Sequence, residues 1–328
     1  MNGYQVAKDY ENGNLCGWLE ARRPGLLKEQ FNLLGAPRKF QLTGQTKPTA
    51  GRKMMLYDIC RKVLGKDTEN YAQEIGDCVS FGAKNGSEYL TCSQILGVAK
   101  QIMEQGGDYQ AYIQAARYKF RSVFPPYYYG TGRVYVGNSD GDYSDGSLGI
   151  WMAEAVRKYG TLFSDEPNVP HYSGNVAKEF GAKRSTLDKW KPTAISYLVK
   201  STAQIKSWDD LVAAICNGYP CPTASSIGYS MEPSSDGFHR QTTQWNHQMC
   251  VIGVDETYSE QYGIILNNWA DCHGILKDFQ TGEVLPKGVL RVRRADIEKH
   301  IRADETYAYG QFDAFKEQDL AKALFMLI

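Results

Sequence analysis

The order in which helical and strand patterns occur along the chain constrains its fold most strongly. After Cys78 the apolar residues recur with helical spacing, as at Ile95, Val98, Ala99 and Ile102. Past residue 190 the pattern changes to short β-branched or aromatic runs bounded by turn residues, among them QMCVIGV, YGIILNNW and GVLRVRR. Helices followed by strands predict an α+β fold, in which a helical lobe faces a β lobe across a cleft.

The charge balance and the lack of long apolar runs exclude several classes of partner. The 328 residues carry 37 basic and 37 acidic side chains, so no net charge recruits nucleic acid or an anionic membrane. The apolar runs fall far short of the ~18 residues that a spanning helix needs, and the polar start MNGYQVAKDYENGN does not resemble a signal peptide. We expect no nucleic-acid or membrane partner. We expect a protein of the reducing cytoplasm or of a virus particle, not one secreted by a signal peptide.

The composition along the chain predicts four segments. Residues 1–55 mix Gly, Pro, Lys and Arg with few periodic apolar residues, which indicates an extended arm or a loosely structured extension. Residues 56–190 form the helical lobe with its candidate nucleophile, and residues 191–312 form the β lobe. The stretch 124–147, rich in Gly, Asp and Tyr, is predicted to be a loop. Residues 313–328 form an amphipathic tail, and both ends are candidates for docking on other proteins.

One of the eight cysteines lies where a thiol becomes reactive. The cysteines are scattered without CxxC pairs, which disfavours a disulfide framework or a zinc ribbon, and most are expected to be reduced and buried. Cys78 directly follows the Gly76-Asp77 turn and begins the helical pattern. The N terminus of a helix lowers the pKa of a thiol because unpaired N–H groups and the macrodipole favour negative charge. Cys78 is therefore a candidate nucleophile.

A histidine partner for the thiol is indicated by a predicted hairpin. The strands QMCVIGV and YGIILNNW flank the polar segment DETYSE, so they are expected to pair as an antiparallel hairpin. Folding the chain about this turn sets His247 opposite Asn267 or Asn268, and directly opposed Cβ atoms lie ~4.5–5.5 Å apart. An asparagine amide could thus orient the imidazole. The pattern does not decide between the two, because a shift of one residue exchanges them.

These motifs together resemble the papain-like, or cathepsin-like, cysteine peptidases. Gly76-Asp77-Cys78 is similar to the Gly-Ser-Cys before the central helix of that family, WNHQMCVIGVD to its histidine strand, and NNW to its Asn-Ser-Trp. SDGS at 144–147, followed by LGIWMAEAVRKYGTL, resembles its substrate-binding segment and the next helix. The likeness covers roughly residues 60 to 312 in the family order, with an insertion expected between residues 104 and 145. IGDCVSFGA in particular looks more like phage- or bacterium-encoded members.

The resemblance implies a fold and a set of roles. The expected fold has two lobes, with a central helix that starts at Cys78 and faces an antiparallel β-barrel-like lobe. Cys78 would be the nucleophile, His247 the general base and acid, and Asn267 the orienting residue, since Trp269 follows it by two places. The implied substrate-binding residues are Asp145, Gly146, Ser147, Trp245 and Trp269. No metal or organic cofactor is implied.

The chain departs from the family pattern in front of the nucleophile. The family places its oxyanion-hole glutamine six residues before the cysteine, where this chain has Ala72, whereas Gln73 lies five residues before Cys78. A loop that is one residue tighter could still aim the Gln73 amide at the oxyanion. The family's structural cysteine is replaced by Ile75, and the aromatic residue after the nucleophile by Val79.

The predicted function is a cysteine peptidase that hydrolyses peptide or isopeptide bonds through an acyl-enzyme, with a peptide or protein as substrate. The alternative is an inactive papain-like structural or assembly protein, such as a phage virion component, because a fold does not guarantee its chemistry. A zinc site is a further alternative, and its soft ligands would be His247, Cys250, Cys272 and His273. Strand alternation disfavours a zinc site. In a strand, His247 and Cys250 point to opposite faces, and so do Cys272 and His273.

Overall fold

The computed structural model describes residues 2–39 and 51–313, which form a helical lobe and a sheet lobe. The α-helices are α1 (Gly3–Glu11), α2 (Leu26–Leu34), α3 (Leu56–Leu64), α4 (Cys78–Glu104), α5 (Tyr109–Arg117), α6 (Pro125–Gly130), α7 (Gly149–Lys158), α8 (Gly174–Ala182), α9 (Arg184–Ala194), α10 (Trp208–Cys216) and α11 (Arg294–Ile301). The strands are β1 (Lys53–Met55), β2 (Val199–Gln204), β3 (Cys221–Tyr229), β4 (Gln241–Asp255), β5 (Tyr262–Leu266), β6 (Val289–Arg293) and β7 (Tyr307–Phe312). The order of helices before strands confirms the predicted α+β class. None of the helices within these ranges is long and apolar enough to cross a membrane.

The sheet lobe is built around the long strand β4. Its strands pair antiparallel in the order β1-β4-β5-β6, and β3 also pairs with β4. A separate two-stranded sheet joins β2 to β7. Among the described strands the larger sheet stays open, so the barrel-like lobe expected from the sequence is corrected to an open sheet. We propose that the boundary between the lobes lies in the connection between α9 and β2, a few residues after the predicted position at residue 190.

Helix α4 packs its first turns directly against β4 and thereby joins the two lobes. Most of its residues are buried, which is typical of a helix that is enclosed by the core. Two glycines allow the close approach of the neighbouring strands. A Cβ at Gly82 would lie 2.7 Å from Gln248 Nε2, and one at Gly86 would lie 2.9 Å from the Pro222 side chain. The nucleophile end of the helix is therefore fixed against the histidine strand.

The N-terminal segment is more ordered than the expected arm. Asn2 caps α1 by accepting a hydrogen bond from Gln5 N at 2.9 Å. Helix α1 buries one face, formed by Gly3, Val6, Ala7 and Tyr10. These residues follow the i, i+3, i+4, i+7 spacing of an amphipathic helix. Within the predicted arm, regular helices thus form over Gly3–Glu11 and Leu26–Leu34, and much of the chain between them is turn or irregular. The predicted tail at 313–328 lies, apart from its first residue, outside the described residues.

The tyrosine-rich stretch that was predicted to be a loop begins as a helix. Pro125 and Pro126 start α6, where a fixed φ suits the first turn. Tyr127, Tyr128 and Tyr129 are all buried, and a π-helix continues over Thr131–Val136. The prediction counted Gly and Tyr as loop residues, but burial of three aromatic side chains outweighs that local preference.

Candidate active site

Cys78 is the first residue of α4 and lies where the two lobes meet. Its side chain is fully buried, and Sγ accepts a hydrogen bond from Gln248 N at 3.2 Å. The hydroxyl of Tyr10 lies beside the thiol and interacts with it electrostatically. The preceding residue, Asp77, gives no side-chain cap to the helix. Its carboxylate accepts a hydrogen bond from Tyr172 instead, at 3.1 Å. No side-chain cap therefore competes for the N–H groups of Cys78 and Val79 at the start of α4, whereas Ser80 N donates to Asp77 O at 3.0 Å.

His247 and Asn267 are in direct contact. The imidazole Nε2 lies 2.7 Å from Asn267 Oδ1, and Nδ1 has no hydrogen-bond partner among the described residues. His247 directly precedes Gln248, the residue whose N–H binds the Cys78 thiol. Asn268 has a different position, because its Nδ2 donates to Gln248 O at 2.9 Å and to Cys78 O at 3.3 Å. The structure therefore places Asn267 on the imidazole and uses Asn268 to tie the helix to the strand.

The chain's own N-terminal residues cover this group. We call residues 3–19 the N-terminal strap. Its main chain runs beside Ser147, which donates to Gly17 O and accepts from Leu19 N, both at 2.9 Å. Gly17 lies so close to the thiol that an added Cβ would overlap Cys78 Sγ. The strap therefore occupies the space directly above the sulfur atom.

Tyr10 of the strap completes the cover over the histidine. Its ring packs edge-on against the His247 ring with centroids 4.8 Å apart, and it lies 5.4 Å from the Trp269 ring. Its hydroxyl touches the Cys78 thiol and accepts a hydrogen bond from Gln73 Nε2 at 2.9 Å. The Tyr10 side chain thus lies against both groups that are expected to react, the Cys78 thiol and the His247 imidazole.

Burial under the strap shifts both candidate reactive groups toward their neutral forms. Desolvation raises the pKa of Cys78 to about 12, although the Gln248 N–H and the Tyr10 hydroxyl act in the opposite direction. Desolvation lowers the pKa of His247 to about 3, against the effect of its bond to Asn267. At neutral pH the thiol is therefore protonated and the imidazole is uncharged. Burial in this covered state therefore disfavours the reactive thiolate.

Gln73 is buried beside the thiol in spite of its displaced position in the sequence. Its backbone N–H donates to Asn268 O at 3.1 Å, and its Nε2 donates to Ile75 O at 2.8 Å as well as to Tyr10. Its Oε1 has no partner among the described residues. The Gln73 amide N–H thus points into the space next to Cys78, where it meets the Tyr10 hydroxyl oxygen.

The predicted substrate-binding segment lies on the other side of the thiol. Asp145 accepts a hydrogen bond from Gly76 N at 3.1 Å, which fixes it to the turn before the nucleophile. Gly146 adopts a φ of 105°, a left-handed conformation that favours glycine. The fully buried Ser147 pairs through its backbone with the strap, in a parallel bridge at Trp18. An extended peptide could use the same backbone groups.

The two predicted tryptophans form the wall behind the histidine. The Trp269 ring lies 4.8 Å from the His247 ring and 4.6 Å from the Trp245 ring. Trp245 is fully buried within this aromatic cluster. It packs against Trp269 in this covered state, whereas the family resemblance implied that it binds substrate.

Sequence reasoning missed several residues of the site. The helical spacing of α1 could have predicted that Tyr10 is buried, but it gives no signal for Gly17, which lies beyond that helix. Glu305 is fully buried and accepts hydrogen bonds from Ile150 N at 3.0 Å and Trp18 Nε1 at 3.2 Å. Burial raises its pKa to about 7. His273 Nε2 lies 2.6 Å from Asn267 Nδ2, a contact that the sequence did not predict.

Potential metal ligands do not gather into a site within residues 2–39 and 51–313, where no group of three or more His, Cys, Asp or Glu side chains could hold an ion. All eight cysteines lie in these ranges, and each is buried and free of a disulfide.

Comparison with known proteins identifies the fold. No protein-family model and no curated protein matches the sequence. Among solved structures, xylellain, a cysteine protease from Xylella fastidiosa, matches with a TM-score of 0.52 at 13% identity, covering 84% of this chain and 91% of that one. ProCathepsin B S9 from Trypanosoma congolense matches with a TM-score of 0.53 at 10% identity, covering 92% and 88%. The chain therefore has the papain-like fold.

Proposed function

We propose that the chain is a cysteine peptidase that hydrolyses peptide or isopeptide bonds with Cys78, His247 and Asn267. The hydrogen bond between His247 and Asn267, beside a thiol held at the start of α4, is the observation that carries the proposal. A thiol, an imidazole and an orienting amide form the minimal set for nucleophilic acyl transfer. The papain-like fold supports it, since two cysteine proteases of that fold match most of the chain.

The hydrogen bonds suggest how the proton moves. With a proton on Nε2 donated to Asn267, the His247 ring keeps Nδ1 for the proton of Cys78. The thiolate then attacks the substrate carbonyl carbon, and His247 passes the proton to the leaving amine as the C–N bond breaks. Water attacks the thioester, gives its proton to His247 and releases the acid, after which the thiol is regenerated.

Gln73 is the candidate side-chain donor of the oxyanion hole. The Tyr10 hydroxyl oxygen lies between Gln73 Nε2 and the Cys78 thiol. A substrate carbonyl oxygen attacked by Cys78 would need the same neighbours. We therefore propose that Tyr10 occupies the position of the oxyanion until the strap leaves.

The covered site implies a latent enzyme. Gly17 and Tyr10 leave no room for a substrate at Cys78, and Ser147 already pairs with the strap. We propose that the N-terminal strap inhibits the enzyme in the described state. Displacement of residues 3–19 would let water and substrate reach the thiol and would reverse the desolvation of Cys78 and His247.

The proposed function is tested by trapping the acyl-enzyme site. We expect the full chain, incubated with a peptide that carries a thiol-reactive electrophile, to gain one label at Cys78, and to hydrolyse a mixture of fluorogenic peptides slowly. Cys78→Ala should abolish both, whereas Cys216→Ala, which removes a buried thiol from α10, should retain both. Hydrolysis that survives Cys78→Ala would contradict the proposal. So would a lack of turnover in protein whose strap has been displaced.

A third variant tests the oxyanion donor. We expect Gln73→Ala to lower kcat by about 10²–10³, because one such donor contributes that much to the transition state. Alkylation of Cys78 should not slow, since it develops no oxyanion and the variant also loses a bond that holds Tyr10. Both rates are measured on the same preparation. An unchanged kcat would show that the Gln73 amide does not face the reacting carbonyl.

The alternative of an inactive assembly protein has less support. The proposed chemistry needs four side chains that lie together at one cleft, namely Cys78, His247, Asn267 and Gln73. An inactive descendant would not require this arrangement. Nothing among the described residues favours a role in a virus particle.

A further inference from the structure

The Asn267 amide is held from both ends in a fully buried position. Its Oδ1 lies 2.7 Å from both His247 Nε2 and Asn268 N, and its Nδ2 lies 2.6 Å from His273 Nε2. His273 is also fully buried. The proposed orienting residue therefore has a histidine on each side, and only one of them belongs to the proposed reaction.

The backbone of Asn268 decides which end of the amide is oxygen. Oxygen and nitrogen of an asparagine side chain are usually assigned from their hydrogen bonds. A backbone N–H can only donate, so the Asn267 atom beside Asn268 N must be the acceptor Oδ1. The NH₂ group consequently points to His273. Since the NH₂ group donates, His273 Nε2 must present a lone pair. The His273 ring therefore carries its proton on Nδ1.

A second histidine braces His273 through the backbone. Arg291 N donates to His239 Nδ1 at 3.2 Å, which leaves the proton of that ring on Nε2. His239 Nε2 lies 3.3 Å from His273 O and can donate to it. The His273 ring also packs 5.8 Å from the Trp269 ring. These contacts fix His273 relative to the sheet and to the aromatic wall.

The same chain of bonds determines the proton on His247. Because Asn267 Oδ1 is held toward His247, the imidazole keeps a proton on Nε2, and its Nδ1 stays without a hydrogen-bond partner among the described residues. If His273 Nε2 carried a proton, this N–H group would face the NH₂ group of Asn267, so two donors would oppose each other. Rotation of the Asn267 amide would remove that repulsion. Rotation would set NH₂ against both Asn268 N–H and His247 Nε2. Burial lowers the pKa of His273 to about 3, which keeps the ring neutral at physiological pH.

We propose that His273 is a positioning residue, which accepts a hydrogen bond from Asn267 Nδ2 and thereby holds a proton on His247 Nε2. The inference rests on the proposed peptidase function for its consequence. Its structural content, the proton positions on two histidines, is independent of turnover.

The proton positions are tested by nitrogen NMR of the full chain labelled at histidine. At pH 7 we expect Nε2 of His247 to be protonated and Nε2 of His273 to be unprotonated. In His273→Leu we expect the His247 signals to shift toward a mixture of tautomers. A protonated Nε2 on wild-type His273 would overturn the proposal, whether or not the protein hydrolyses any peptide. The NMR measurement therefore distinguishes a failure of the His273 proposal from a failure of the proposed peptidase function.

The effect on the reaction is tested with three variants and one substrate. We expect His273→Leu to lower kcat about 10- to 100-fold, the usual cost of losing a residue that orients a functional side chain, with KM changed less than about twofold. His273→Gln, whose amide oxygen can accept from Asn267, should recover most of the loss.

The matched control is His300→Leu, which removes another fully buried imidazole, one bonded to Ser225 and Tyr229 instead of Asn267. It should leave kcat unchanged. Thermal unfolding is measured for every variant. A folded His273→Leu protein with wild-type kcat would overturn the positioning role, as would equal losses in His273→Leu and His300→Leu.

Discussion

Replacing Gly17 by alanine is expected to raise the rate at which Cys78 is alkylated about 10- to 100-fold. The added Cβ would overlap Cys78 Sγ and lie 2.7 Å from the Tyr10 hydroxyl, so the closed strap must shift. Overpacking of this kind costs about 1–3 kcal/mol. Each 1.4 kcal/mol changes the ratio of open to closed protein tenfold. Peptide hydrolysis should increase by the same factor, because both processes need the open form.

The measurement is the mass of the intact protein after timed exposure to a thiol reagent, with the labelled residue located by peptide mapping. Asn14→Ala is the matched control, since Asn14 is an exposed residue of the same strap and its truncation should change neither rate. Equal labelling of the wild type and the Gly17 variant would show that the strap does not limit access to the thiol.

Removing the imidazole should have the largest effect on turnover. In the Gly17→Ala background we expect His247→Ala to lower kcat about 10²- to 10⁴-fold, because general acid–base catalysis by a positioned side chain supplies a factor of that size. The same variant should alkylate more slowly at pH 6, since it loses the base that takes the Cys78 proton. The two assays report different steps, and the proposal requires both to fall.

Gln244→Ala provides the comparison, because Gln244 is an exposed residue on the same strand, three places before His247. It should retain both rates. If His247→Ala hydrolysed peptides as fast as this control, the imidazole would take no part in proton transfer.

Local signals in the sequence were sufficient for the helix that presents the thiol and for the strand that carries the histidine. Cys78 follows a turn and precedes a long apolar stretch, and α4 begins at that residue. The choice between Asn267 and Asn268 could not be made from strand alternation for two reasons. A bulge between Val251 and Gly253 shifts the register, and β5 ends at Leu266, before either asparagine.

The strap and its contacts lay beyond the reach of sequence patterns for a different reason. Tyr10 meets Gln73 across 63 positions of the chain, and Trp18 meets Glu305 across 287. Spacing and propensity describe local structure, whereas such pairs depend on the folded arrangement of both lobes. The helical spacing of α1 predicts a helix, but nothing in it indicates which surface the helix covers.

The strap belongs to the same chain as the cleft, which changes the competition that a substrate faces. A segment tethered to the site that it covers acts at an effective concentration that reaches about millimolar for a well-matched connection. A free peptide at micromolar concentration would therefore displace it only if it bound roughly a thousand times more tightly. Cutting the chain between Leu19 and β1 would remove this advantage, because the released strap would be diluted into the solution. Activity would then depend on whether that connection is intact, and only weakly on the amount of substrate.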